Sequence, residues 1–156
     1  MGDWAEENEM KINPNKSKAL SFTRALMKDP LNYSRGDQKI PEARCCKYLG
    51  IIIRNDLSRA DQINYTVQKA LKALHFVMRV LKKGNKNTKI VVFTSLVRPI
   101  LEYGAACWDP YRECQISALD RVQNKAAKFA HHSGGSDREF LAQRRKRACM
   151  CALYKA

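Results

Sequence analysis

The sequence lacks long hydrophobic runs and recognisable catalytic constellations. No stretch approaches the roughly 18 consecutive apolar residues of a membrane-spanning helix, and the N-terminus has neither the basic head nor the apolar core of a signal peptide. Paired carboxylates beside a glycine turn, a nucleophile with its base, and a phosphate-binding loop are all missing. These absences predict an intracellular protein that makes no membrane contact and is not an enzyme by itself.

Metal-ligand spacing is also missing, although the chain contains six cysteines. Cys45 and Cys46 are adjacent on a predicted strand and therefore point to opposite faces. Cys149 and Cys151 lie about 200° apart around a predicted helix, so they cannot easily share one ion with His131 and His132. Without a secretory signal, a reducing compartment is expected, and we predict neither a disulfide framework nor a metal site.

Acidic residues are scarce in the second part of the chain. Residues 1–56 carry 10 Lys or Arg against 8 Asp or Glu, whereas residues 57–156 carry 19 against 7. Almost all of the net charge of +14 therefore lies in the second part. Clustered cations that release counterions from phosphates are typical of nucleic-acid-binding proteins, although a merely soluble basic helical protein would have the same composition.

The hydrophobic pattern predicts an α+β fold, with a small antiparallel sheet followed by a helical bundle. The end of a helix is predicted at residues 3–9, and a loop at 27–30. The predicted strand segments are residues 18–24, 31–34, 38–41 and 46–54. The predicted helices are residues 59–83, 87–106, 114–131 and 138–155. We expect Ser58 to cap the first of these helices and Pro99 to kink the second.

The chain therefore divides into two predicted domains, residues 1–56 and residues 57–156. The sheet of the first domain is too small to bury both of its faces. The second domain is helical and basic, and residues 133–136 form a predicted flexible turn within it.

The first long helix is predicted to have a basic face opposite its apolar face. Its apolar stripe is about 120° wide and is expected to be core. On nearly the opposite side, within about 80°, lie the basic residues Lys69, Lys72, Arg79 and Lys83. Phe76 lies among them, and no acidic residue occurs between Gln62 and Lys83. Solvent-facing charges are usually only solvated, but cations of one sign around an exposed aromatic ring favour binding to a nucleic-acid backbone.

The third predicted helix repeats this pattern more weakly. Arg121, Lys125 and Lys128 lie opposite the apolar positions of residues 119–129. We therefore predict that each of the two helices carries residues that bind nucleic acid.

Four segments of the sequence, in this order, match motifs that occur together in one protein family. The segment at residues 4–17 ends in Asn13-Pro14-Asn15-Lys16-Ser17, which has the pattern N-x-x-K-[ST], and the next segment is Lys47-Tyr48-Leu49-Gly50-Ile51-Ile52-Ile53. The remaining two are residues 96–110, which end in Cys107-Trp108-Asp109-Pro110, and residues 119–128. Together they resemble the end of the palm and the following region in reverse transcriptases of non-LTR (LINE-type, jockey-like) retrotransposons.

This resemblance implies roles for particular residues. Lys16 would lie near the incoming nucleotide and protonate the pyrophosphate leaving group. Tyr48, Leu49 and Gly50 would grip the primer, with Gly50 allowing close approach of the primer backbone. For each, an ordinary surface or strand-packing role is the alternative.

The resemblance also implies parts that this sequence does not contain. The family's Y/F-A-D-D aspartates, which hold two Mg²⁺ ions in the parent polymerase, are expected before residue 1, as are the fingers. No cofactor is therefore expected in this chain, which we expect to be a C-terminal fragment of palm and thumb.

The expected partner is nucleic acid, either an RNA–DNA hybrid or a primer–template duplex, together with the missing part of the parent enzyme. A nuclear location is expected, and residues 144–147 (RRKR) are either a nuclear address or a solvated helix face. A domesticated, non-enzymatic nucleic-acid-binding module and a decayed, inactive fragment are the alternatives.

Overall fold

The computed structural model describes residues 5, 7–10, 13, 16–22, 32–35, 38–130 and 141–154. The chain divides into two compact units, residues 1–58 and 59–156, and the predicted boundary lies two residues earlier. Short antiparallel strands occur in the first unit and helices dominate the second, which confirms the α+β fold class. Within the described ranges, no helix is both long enough and apolar enough to cross a membrane.

Two antiparallel hairpins form the sheet structure of the first unit. Strand β1 (Ser34–Arg35) pairs with β2 (Gln38–Lys39), and these two strands overlap the segments predicted at residues 31–34 and 38–41. Strand β3 (Cys45–Tyr48) pairs with β4 (Ile51–Arg54) along its whole length. All side chains of β3 and β4 remain at least partly exposed, as expected for a sheet too small to bury both faces.

Two of the strand predictions are wrong. Residues 46–54 are not one strand, because Leu49 and Gly50 form a two-residue turn with φ of 46° and 83°. Glycine readily adopts this left-handed conformation, and two successive positive φ angles are typical of tight hairpin turns. The other wrong prediction is the strand at residues 18–24. In its described part, residues 18–22, only Ala19 forms a bridge, opposite Glu42. Pro41 has no N–H to donate, which prevents extension of this parallel bridge toward residue 17.

The described part of the helix end predicted at residues 3–9 is confirmed. Ala5 and Glu7 are helical, residues 8–9 form a turn, and the Met10 N–H donates to the Ala5 carbonyl at 2.7 Å. The loop predicted at residues 27–30, together with Pro14 and Asn15 of the N-x-x-K-[ST] motif, lies outside the described residues.

The predicted cap at Ser58 is also wrong. Arg59 occupies the N-cap position of the first long helix and makes no side-chain capping bond. Ser58 instead donates its N–H to Asp56 Oδ1 at 2.9 Å, and Arg54 Nη2 lies 3.0 Å from Asp56 Oδ2. Two hydrogen bonds lower the pKa of the exposed Asp56 carboxyl. The larger effect comes from the Arg54 side chain and the smaller from the Ser58 backbone N–H.

The second unit contains two long helices and several short ones. The long helices α1 and α5 both contribute to the core, and α6 begins after residues 131–140, which lie outside the described residues. The helices are α1 (Ala60–Val80), α2 (Lys86–Val92), α3 (Arg98–Glu102), α4 (Ala105–Trp108), α5 (Glu113–Ala130) and α6 (Leu141–Leu153). The predicted turn at 133–136 and the predicted start of the last helix at 138 lie outside the described residues.

The second predicted helix, residues 87–106, is interrupted twice. Residues Phe93–Val97 form a π-helical turn, in which the Arg98 N–H donates to the Phe93 carbonyl. Pro99 follows at once, and because it lacks an N–H it cannot continue the α-helical ladder to Ser95. The irregularity expected at Pro99 therefore takes the form of a π turn. The prediction that this helix continues beyond the kink at Pro99 to residue 106 is wrong, since Gly104 has a φ of 62°.

The apolar faces of these helices meet in one core. Trp108 is its largest fully buried side chain, and its Nε1 donates to the Tyr103 carbonyl at 2.8 Å, which satisfies the buried indole. The core residues are Ile63, Ala70, Leu74, Val77, Val97, Leu101, Ala105, Trp108, Leu119, Val122 and Ala126. The apolar stripe predicted for the first long helix is thus confirmed as core.

Ion pairs attach α6 to the helices before it. Arg144 binds Glu102 through two bonds of 2.6 and 3.0 Å. Arg145, whose side chain is only 2% exposed, binds Asp109 at 2.9 Å. The RRKR run is therefore not a uniformly solvated helix face, because two of its four residues hold α6 in place.

All six cysteines are free thiols. Burial raises the pKa of the Cys149 thiol, and the nearby Asp109 carboxylate acts in the same direction.

Candidate nucleic-acid interface

The first long helix, α1, carries exposed cations on the side away from the core. Lys69, Lys72 and Arg79 are all exposed, as the helical wheel predicts. Phe76 is also exposed, with 60% of its surface accessible. Lys83, however, does not belong to this face, because α1 ends at Val80 and residues 81–83 form a turn. A helical-wheel position has no meaning beyond the last helical residue.

Helix α5 has the same organisation. Leu119, Val122 and Ala126 are buried, and the basic residues Arg121, Lys125 and Lys128 are exposed on the other side. The basic face predicted for this helix is confirmed as a solvent-exposed face.

Two contacts show that α1 and α5 lie parallel. At the start of α1, Arg59 Nη1 donates to the Asp109 carbonyl at 2.6 Å. Further along, Lys125 Nζ lies 2.7 Å from His75 Nε2. Both pairs are 50 residues apart in sequence. Asp109 lies four residues before α5, so the two contacts together indicate that the chain enters and follows α5 in the same direction as it follows α1.

The contact between His75 and Lys125 joins the two basic faces. Lys72 and Arg79 lie within about 60° of His75 around α1, and Arg121 and Lys128 lie within about 60° of Lys125 around α5. In each helix these residues lie on the side away from the core. We call this surface the basic seam, and its members are Lys72, His75, Arg79, Arg121, Lys125 and Lys128.

The electrostatic character of the basic seam is strongly positive. All six side chains are exposed, and they extend over eight residues of each helix, or about 10 Å. Lys89 of α2 adds a cation at the edge, where its Nζ lies 4.7 Å from the centre of the Phe129 ring. Asp120 and Asn124 line a shallow depression together with Arg121, Lys125 and Lys128. The seam can therefore hold polyanions through several simultaneous charge contacts.

His75 is the member of the seam that the sequence did not single out. Its contact with Lys125 depends on how the two helices pack against each other. No sequence pattern of a single helix encodes that packing, so the wheel treated the two basic faces as separate surfaces.

Not all predicted residues join the seam. Lys69 lies about 120° from His75, further around α1. Tyr48, Leu49 and Gly50 belong to the first unit, at the tip of the β3–β4 hairpin, where the side chains of Tyr48 and Leu49 are 63% and 71% exposed. Lys16 is exposed in the same unit, where its N–H donates to the Asn13 carbonyl at 3.2 Å.

Comparison of the chain with protein-family models, with curated proteins and with solved structures finds no match. Its function is therefore argued from the basic seam and from the motifs in its sequence.

Proposed function

We propose that this chain is the C-terminal part of a non-LTR retrotransposon reverse transcriptase, and that its helical unit binds the backbone of the primer–template nucleic acid. The observation that carries the proposal is the basic seam, which gathers exposed cations from two parallel helices. The order of the four sequence segments that resemble this family supports the particular parent enzyme.

The size of the basic seam suits a nucleic-acid backbone. Phosphates of one strand recur about every 3.4 Å along a duplex, so a surface of about 10 Å faces roughly three of them. Lysine and arginine contacts to phosphates position a duplex without reading its sequence. We therefore expect the seam to bind duplexes with little sequence preference, whether RNA–DNA hybrid or DNA.

The hairpin tip of the first unit is the second element of the proposal. Leu49 and Gly50 expose a tight turn, and Tyr48 offers an exposed ring beside it. Such a tip allows a nucleic-acid backbone to approach closely, as the primer-grip resemblance implies. Lys16 would serve the incoming nucleotide only in the complete enzyme.

In the parent enzyme, Mg²⁺ would be held by the aspartates that the resemblance places before residue 1. Among the described residues, no three His, Cys, Asp or Glu side chains form a group that could hold a metal ion. We propose a binding role for this chain and no step of nucleotidyl transfer. A nuclear location belongs to the same proposal, although Arg144 and Arg145 are committed to ion pairs.

The test measures how duplex affinity depends on salt concentration. In the seam variant, Lys72, Arg121 and Lys128 are changed to glutamine, and in the matched control Lys86, Arg112 and Lys146 are changed, which removes the same charges elsewhere in the unit. Each phosphate contact contributes about 0.9 to the log–log salt slope, so the seam variant should lose about 2 to 3 from the slope. The control should lose clearly less.

Equal losses in the two triple variants, with both folds intact by circular dichroism, would show that the seam is only a solvated face. The parent enzyme is tested separately, by sequencing the reading frame upstream of codon 1. An in-frame pair of aspartates with a fingers region supports the polymerase parent. An upstream frame without them, together with seam-dependent binding, would instead support the domesticated binding module.

A further inference from the structure

A cleft lies between α6 and the short helices α3 and α4, away from the basic seam. Its volume is about 250 Å³, which is below the range of roughly 300–1,000 Å³ that is typical of pockets for drug-sized ligands. The described residues that line it include Glu102, Ala105, Arg144, Arg145, Arg147 and Ala148. We call it the arginine cleft. Its size suits a small ligand and excludes a nucleic-acid duplex.

Arg145 brings a hydrogen-bond donor without a partner to the arginine cleft. Its side chain is only 2% exposed, and its Nε donates to Asp109 Oδ1 at 2.9 Å. Its Nη1 is buried and makes no hydrogen bond within the described part of the chain. A guanidinium has only donors and keeps its charge in proteins, so only an acceptor can satisfy this group. Burial of a charged donor without an acceptor is unfavourable, because its hydration is lost and nothing replaces it.

The charge of the arginine cleft favours an anion as that acceptor. Among the described residues of its lining, three are arginines and one, Glu102, is acidic. Arg144 binds this carboxylate through two bonds of 2.6 and 3.0 Å. Asp109 binds Arg145 but does not belong to the described lining. Even with both carboxylates counted, three cations face two anions, so the cleft attracts negative charge.

A phosphate group fits this arrangement better than a carboxylate does. Phosphate presents three strong acceptor oxygens and close to two negative charges at pH 7, whereas a carboxylate has two oxygens and one charge. Guanidinium groups bind phosphate through short, charge-assisted hydrogen bonds. One phosphate can therefore accept from Arg145 Nη1 and from Arg147 at the same time.

We propose that the arginine cleft binds a small phosphate group, with Arg145 Nη1 and the guanidinium of Arg147 as its donors. Nη1 has almost no exposed surface, so a phosphate oxygen reaches it only when a side chain of the lining moves slightly. The site is separate from the proposed function, because none of its residues belongs to the basic seam. A free phosphate monoester and the terminal phosphate of a nucleic-acid strand offer the same chemical group.

The experiment measures binding of inorganic phosphate to the full chain by isothermal titration calorimetry, at constant pH and ionic strength. Ala148→Leu fills the arginine cleft without changing any charge. It should weaken phosphate binding by at least about tenfold, which corresponds to the loss of one hydrogen bond to a charged group. Ala152→Leu is the matched control, because Ala152 is exposed on the same helix but does not belong to the described lining. It should bind phosphate as wild type does.

A second pair of variants tests the charge and keeps the test decisive if leucine disturbs the fold. Arg147→Gln should also lose about tenfold in phosphate affinity. Lys146→Gln removes the same charge at the adjacent exposed position, outside the described lining, and should keep the wild-type affinity. Equal phosphate affinity in all four variants would overturn the inference. So would wild-type binding of acetate as tight as that of phosphate.

Two further comparisons identify the source of the phosphate and separate this site from the seam. Wild-type preference for a 5′-phosphorylated single strand over the same strand without phosphate, lost in Ala148→Leu, supports a strand terminus. Phosphate binding without that preference supports a small phosphate monoester. Ala148→Leu should keep the wild-type salt slope of duplex binding, and the seam variant should keep the wild-type phosphate affinity. If the seam variant loses phosphate binding and Ala148→Leu does not, phosphate binds to the seam and the inference fails while the proposed function stands.

Discussion

Substitution of the single residue Phe76 can show whether the exposed face of α1 is only solvated or binds nucleic acid. Its ring is 60% exposed on α1, among cations, and no core contact explains its position there. If the ring stacks on a base or packs on a sugar, Phe76→Ala should weaken duplex binding by roughly 1 kcal/mol or more. The salt slope should not change, because no charge is lost.

Val80 is the matched control for this prediction. It lies one turn later on the same helix and is 62% exposed. Val80→Ala should leave the duplex affinity nearly unchanged. Both variants are measured by fluorescence anisotropy with a labelled duplex. Equal losses from both substitutions would assign the effect to a general apolar patch rather than to an aromatic contact.

Leu49 carries backbone strain at the tip of the β3–β4 hairpin. Its φ of 46° lies in the left-handed region, which costs a residue other than glycine about 1 kcal/mol. Asparagine tolerates this region and is favoured at the first position of such turns. Leu49→Asn should therefore raise the free energy of unfolding by about 0.5 kcal/mol or more, measured by chemical denaturation.

Gly50→Ala provides the opposite control at the next position. The φ of Gly50 is 83°, so alanine there should destabilise the hairpin. A stabilising effect of Gly50→Ala would contradict this account of the turn.

At the scale of elements, the ion pair between α6 and the end of α4 is the most sensitive contact. Arg145 is 2% exposed and depends on the Asp109 carboxylate, whereas Asp109 itself is 32% exposed. Asp109→Asn would leave a buried guanidinium without its counter-charge, and removing one partner of a buried pair typically costs about 3 kcal/mol or more. We expect a loss of about 3 kcal/mol in unfolding free energy.

Asp120→Asn is the matched control, since it makes the same chemical change in mid-helix on α5. Surface substitutions of this kind usually change stability by less than about 0.5 kcal/mol. If the two variants unfold at the same denaturant concentration, then Arg145 does not depend on Asp109.

The helix faces could be predicted from the sequence, but the way in which the helices meet could not. A period of 3.6 residues assigns Leu74 to the core and Lys72 to solvent without any knowledge of neighbours. The partner of His75, in contrast, is set by a register over 50 residues, which only packing decides. The turn at Leu49 was missed for a related reason, because a run of apolar residues around a glycine reads equally as one strand or as a hairpin.

At the scale of the whole molecule, the division of charge implies that duplex binding does not require the first unit. The basic seam and the apolar core both lie within residues 59–156. A protein of residues 57–156 should therefore retain most of the duplex affinity, with little discrimination among unrelated duplexes of equal length. Strong preference for one sequence would count against backbone recognition.

The full chain should not extend a primer. Two-metal nucleotidyl transfer needs a pair of carboxylates, and the sequence contains no Y/F-A-D-D motif. Purified protein with a primed RNA template and Mg²⁺ or Mn²⁺ should give no product. Measurable extension would refute the assignment of a binding role alone.

The parallel arrangement of α1 and α5 has a consequence for how the helical unit acquires its structure. Two antiparallel helices joined by a short loop meet through residues that are close in sequence, but here the contacts at both ends close loops of 50 residues. Loop closure costs entropy that must be spent before the contacts form, and contacts between distant residues slow folding. We expect this unit to fold more slowly than an up-and-down bundle of equal length. The seam would then be among the last features to form, because it exists only after residues 81–112 have folded back and brought α5 alongside α1.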